Sequence, residues 1–105
     1  MTDHLTQAIA LLDSDERLTC AVCGPNGTLT AQDRGIKPIL HWLSAAPAQL
    51  SGSFVADKVV GKAAALLFIQ GGIAGLHTRI ISQPALDALT AQHIPVSYDQ
   101  LVPRI

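Results

Sequence analysis

The run Val55-Ala-Asp-Lys-Val-Val-Gly-Lys-Ala-Ala-Ala-Leu-Leu-Phe-Ile69 sets one acid and two lysines into an otherwise apolar stretch that must supply much of any core this chain builds. Ser51-Gly-Ser53 precedes it and Gly71-Gly72 follows. These breakers predict a short strand or turn feeding a helix that starts near Asp57 and ends at the glycine pair. On such a helix Lys58 and Lys62, four residues apart, share one face close to the N-terminus. Cations there oppose the macrodipole, which favours anions by roughly 0.3–1 kcal/mol. A requirement other than helix stability is therefore expected at this position.

With 105 residues the chain has room for one core and one domain, spanning residues 1–105. Hydrophobic residues make up 49% and charged residues only 14%, a surface lean in charge that predicts apolar area shared in a homo-oligomer. A net charge of -1 offers no basic field for phosphate backbones and argues against a nucleic-acid partner. Met1 to Gln7 lacks the basic start and apolar run of a signal peptide, and Ala63 to Ile69 is too short to span a bilayer, so a cytoplasmic protein without a membrane partner is expected. In that reducing compartment Cys20 and Cys23 stay thiols.

Periodicity lays out the remaining elements. Leu5, Ala8, Ile9 and Leu12 recur at helical spacing after a cap at Thr2 or Asp3, and the helix stops near Asp13-Ser-Asp15. Leu18 to Cys23, the turn Gly24-Pro-Asn-Gly27, and Thr28 to Ala31 read as a hairpin. Pro38 opens a second helix that ends before Pro47. Leu76 to Ile81 reads as a strand, Ser82 caps a helix through Leu89 with Pro84 in its first turn, and Val96 to Leu101 forms a last strand. The later strand-helix-strand connection is long enough for a parallel pair, which gives a mixed α/β sandwich.

Arg34-Gly-Ile-Lys-Pro38, the run Val55 to Ala65, and Ile81-Ser82 with Ala85 and Leu89 resemble the signature of domain-of-unknown-function family 1893. The resemblance extends over nearly the whole chain. That family is grouped with the cytidine-deaminase-like superfamily. The resemblance therefore implies a three-layer cytidine-deaminase-like sandwich, a mixed sheet with an N-terminal hairpin and helices on both faces. Zinc deaminases of that superfamily carry a His or Cys followed by a Glu at one helix start and Pro-Cys-x-x-Cys at the next. Here the corresponding stretches read Ala56-Asp57-Lys58 and Ser82-Gln-Pro-Ala-Leu-Asp-Ala88, with neither a proton-shuttling Glu nor a thiolate. Zinc-dependent deamination is not expected, and no cofactor or metal is implied.

The candidate site is the set Asp57, Lys58, Gly61 and Lys62, with Ser82 at the neighbouring helix start and Arg34 closing from a loop. On the functional reading, helix-terminal N–H groups and a lysine hold a small anionic or nucleotide-like ligand, and Gly61 permits close approach. On the plainer reading, Asp57 and Ser82 are caps, Gly61 relieves crowding between helices, Arg34 is a solvated loop charge, and the lysines lay their stems on apolar surface. Asp57 with Lys58 as the acid-base pair of a metal-independent enzyme, and a non-catalytic homo-oligomeric module, are the competing functions. Cys20-Ala-Val-Cys23 lacks the second ligand pair of a structural zinc site, and on a strand residues three apart face opposite ways, so both thiols are expected buried and inert.

Overall fold

Residues His4–Ser14 form the first helix, α1, capped by Asp3, whose Oδ1 accepts the Thr6 amide at 2.7 Å. The structure, a computed structural model, describes residues 3–105; the alternative cap, Thr2, lies outside the described residues. The hairpin follows as β1 (Cys20–Gly24) and β2 (Gly27–Ala31), closed on the pair Gly24 and Gly27 with Pro25-Asn26 as its two-residue loop. Helix α2 (Lys37–Ala45) takes Pro38 into its first turn and buries Ile39 and Trp42. Pro47 ends that helix and opens a short further one, α3 (Pro47–Leu50).

The segment from Phe54 corrects the sequence reading. Phe54–Val60 is a strand, β3, and helix α4 begins only at Lys62 and runs to Gly71. No helix starts at Asp57, and Lys58 and Lys62 do not share a helical face. Phe54, Val55, Val59 and Val60 are β-branched or aromatic, whereas Ala63, Ala64, Ala65, Leu66 and Leu67 are strong helix formers, so propensity changes at Gly61. Tertiary pairing then fixes the boundary, because β3 is bonded to β1 on one side and to β4 on the other. Gly72, at φ 76°, ends α4 in the left-handed conformation that glycine adopts without strain.

Strand β4 (Gly75–Ser82), helix α5 (Gln83–Ala91) and strand β5 (Val96–Val102) complete the chain where the pattern predicted them. The five strands form one mixed sheet in the order β2-β1-β3-β4-β5. β1 runs antiparallel to both β2 and β3, and β3, β4 and β5 are parallel. Two successive crossovers of the same hand put α4 and α5 on one face of the sheet. There Val22, Val55, Leu76 and Ile81 pack with Ile39, Trp42, Leu50, Phe68 and Leu89 in the larger core. On the other face α1 covers Ala21, Cys23 and Ala56 with Ala8 and Leu12. A mixed five-stranded sheet between helical layers is thus the observed architecture.

This topology gathers the functional region. Because β1 is antiparallel to β3, the start of β1 lies beside the end of β3, at the end of the sheet where β2 finishes and α4 begins. In open α/β sheets the carboxyl ends of parallel strands, near a reversal of strand order, form crevices.

Candidate functional site

At that end a cavity of about 670 Å³ opens between the sheet, α2 and α4. Its wall combines Thr19 and Cys20 from the start of β1, the loop Asp33 to Ile36, and Pro38 and Ile39 of α2. Asp57 to Val59 of β3, Gly61 to Ala64 at the start of α4, and the terminal residue Ile105 complete it. Apolar side chains form most of this surface, and a few charged groups are set into it, the usual make-up of a small-molecule site.

Five of the residues singled out from the sequence meet here: Arg34, Asp57, Lys58, Gly61 and Lys62. Gly35, at φ 76°, turns the loop that carries Arg34 toward the cavity mouth. Lys58 lies at the rim, its Nζ donating to the Glu16 carbonyl at 2.7 Å. An ammonium has three donors, so this contact anchors the lysine without exhausting it. Lys62, the first residue of α4, is exposed and faces two hollows, the main cavity and a shallower groove lined by Gln83, Pro84 and Asp87 of α5. The starts of α4 and α5 are therefore neighbours. Gly61 sits in extended backbone, and a Cβ there would meet Ile105 at 3.6 Å, ordinary contact rather than crowding against a helix.

Ser82 stands apart from the main cavity. Its side chain is buried, and its Oγ accepts the Ala85 amide at 3.2 Å as the cap of α5.

Asp57 is the electrostatic centre of the cavity. Burial pushes its carboxyl up from the usual carboxylate value of 3.8 to about 7, against the Val59 amide at 3.4 Å and the Cys20 thiol, which favour the charged form. Its surface retains partial contact with the solvent in the cavity. Among the described residues it makes no ion pair: the salt bridges are Arg17 with Asp15, His77 with Asp99, and Arg79 with Asp13. The cations of the cavity lie around this acid without neutralising it.

Cys20 is the residue the sequence reading missed as part of the site. The antiparallel register places Cys20 directly opposite Asp57, so both side chains leave the same face of the sheet. Burial raises the Cys20 thiol well above the usual thiol range, and the Asp57 charge adds to that rise. Cys23 faces the α1 layer instead. Both cysteines are buried free thiols. Only the pairing register of two distant strands brings Cys20 to Asp57, and no spacing in the sequence carries that information.

Among the described residues, no group of three His, Cys, Asp or Glu side chains is placed to hold a metal, and no helix is long and apolar enough to cross a membrane.

A solved structure of similar fold is that of a DUF1893 family protein, TM1506, from Thermotoga maritima. It superposes with a TM-score of 0.86 at 28% sequence identity, covering 100% of this chain and 70% of that one. No curated protein matches the chain. The family model described as "Domain of unknown function (DUF1893)" matches residues 7–105. That match runs from within α1 through β5, and the chain belongs to the DUF1893 family.

Proposed function

We propose that this domain binds a small anionic or nucleotide-like ligand in the cavity at the carboxyl end of β3. The observation that carries the reading is a largely buried carboxylate, Asp57, which makes no ion pair among the described residues and shares one apolar cavity with Arg34, Lys58 and Lys62. An uncompensated buried charge is costly to a fold, and a ligand that satisfies it recovers that cost. Lys62 and Arg34 attract the anionic group, the first-turn amides of α4 supply donors, and Asp57 accepts from a donor edge of the ligand body. Ile36, Ile39, Val59 and Ile105 cover the apolar part.

The cytidine-deaminase-like sandwich belongs to the same proposal. It is supported by the N-terminal hairpin, the mixed sheet and two helices that start side by side after parallel strands. With β3 extending to Val60, the first-helix motif of that superfamily falls on Lys62-Ala63-Ala64 rather than on Asp57-Lys58. Neither stretch offers the ligand and Glu that zinc deamination needs.

The test is thermal unfolding of the protein with inorganic phosphate, pyrophosphate and adenosine monophosphate, repeated on Lys62→Ala and Arg34→Ala. A ligand at about 100 times its dissociation constant stabilises the fold by roughly 2.7 kcal/mol. Stabilisation by a phosphate-bearing compound that weakens in both variants supports the reading, and an unchanged shift in both variants refutes it.

A second reading has its own observation. Ile36, Val59 and Ile105 at the cavity and Leu40, one turn along α2 from Ile36, are exposed large apolar residues. They suit the surface of a homo-oligomeric module. Sedimentation that stays monomeric across a wide concentration range would exclude it.

A further inference from the structure

We propose that Cys20 is a nucleophile of this cavity, attacking the carbonyl carbon of a small anionic carbonyl compound with Asp57 accepting the thiol proton. The inference rests on the ligand reading above and adds a reaction to it. Cys20 and Asp57 are cross-strand partners on one face of the sheet, and both line the cavity. The Asp57 charge acts directly on this thiol. Lys58 is anchored on Glu16, and Asp57 forms no ion pair among the described residues, which leaves the carboxylate able to take a proton.

The electrophilic side of the site is the start of α4. Gly61, its cap, offers no side-chain acceptor, and the first intrahelical bond runs from the Ala65 amide to the Gly61 carbonyl. The amides of Lys62, Ala63 and Ala64 therefore have no helical partner, and all three residues line the cavity. Such amides stabilise the negative charge that develops on a carbonyl oxygen under attack. Nucleophile, proton acceptor and oxyanion donors thus border one hollow, with Arg34 and Lys62 to hold the carboxylate or phosphate of the compound.

The step balances without any co-reactant. The Cys20 Sγ to carbon bond forms as the π pair of the C=O bond moves to oxygen. The thiol proton passes to the Asp57 carboxylate and then to that oxygen, leaving a thiohemiacetal or its ketone equivalent.

Cys23 is the internal control, in the same strand but under α1. The folded protein is treated with iodoacetamide and, separately, with iodoacetate, and fragment mass spectrometry separates modification at Cys20 from that at Cys23. Cys20 is expected to react while Cys23 does not, and Asp57→Asn should slow the reaction on the order of 100-fold, the usual scale of general-base assistance. The direction discriminates. If Asp57 only raised the thiol's affinity for its proton, Asp57→Asn would leave the rate unchanged or increase it, and either result overturns the proposal. Modification of Cys20 no faster than that of Cys23 also overturns it. Glyoxylate, a carboxylate-bearing aldehyde, should protect Cys20 where acetate does not, and absence of this protection refutes the carbonyl step. The ligand reading fails separately, if iodoacetate gains no advantage over iodoacetamide at Cys20 and Lys62→Ala leaves their ratio unchanged.

Discussion

Asp57→Asn should make the protein more stable, and by an amount that depends on pH. The carboxyl titrates near 7 in the folded chain because burial penalises its charge, against 3.8 for an ordinary aspartate. Well below pH 4 folded and unfolded chains both hold the proton, and Asp57 contributes nothing. From pH 4 to pH 7 the unfolded chain releases the proton while the folded chain keeps it, so stability falls as pH rises. Above pH 7 the whole penalty is present. A rise of roughly three pH units corresponds to about 4 kcal/mol. Solvent in the cavity screens part of that charge, and about 2 kcal/mol is the expected net gain for asparagine, which cannot ionise. Urea unfolding of the ligand-free protein at pH 4 and pH 8 measures it, followed through the fluorescence of Trp42, the only tryptophan and 6% exposed. The variant should come within about 0.5 kcal/mol of the wild type at pH 4 and clearly exceed it at pH 8, where the gain corresponds to a rise of about 10 °C in Tm. A variant less stable than wild type at pH 8, or a difference equal at both pH values, would refute the account of Asp57 as a buried, uncompensated acid.

Two further substitutions probe the scaffold around the site. Ser82→Ala removes the cap of α5 and strands the Ala85 amide in a buried setting, and chemical denaturation should register a loss of about 1 kcal/mol, with anion binding retained. Gly71→Ala adds a methyl that would lie 2.8 Å from Leu50 Cγ, where α4 packs on α3, and overpacking of this kind should lower stability by about 1–3 kcal/mol in the same assay.

Much of the element plan was legible because local chemistry and periodicity agree. Asp3 and the Leu5, Ala8, Ile9, Leu12 spacing mark α1. Gly24-Pro-Asn-Gly27 marks the hairpin, and Ser82-Gln-Pro84 marks the start of α5. The boundary at Gly61 was misread because Asp57 and Lys58 look like a charged helix start. A short apolar run reads equally as strand or helix until its neighbours are known. A change of propensity from valine to alanine across Gly61 was the available signal.

The same division holds for the site. Arg34, Asp57, Lys58, Gly61 and Lys62 were legible as chemically conspicuous residues, since charge and glycine within an apolar chain are local features of composition. Their convergence on one cavity was not local. It follows from β1 running antiparallel to β3, which sets Cys20 opposite Asp57, and from the crossovers that bring α2, α4 and Ile105 to the same end of the sheet. By itself the sequence determined which segments could be amphipathic and where caps and turns could form. Only the tertiary structure decided that Phe54–Val60 is a central strand, that Ser82 is a buried cap away from the cavity, and that a cysteine faces the acid. The physical reason is that a strand's hydrogen-bond partners, and the surroundings that shift a carboxyl group's proton affinity, come from residues distant in the chain.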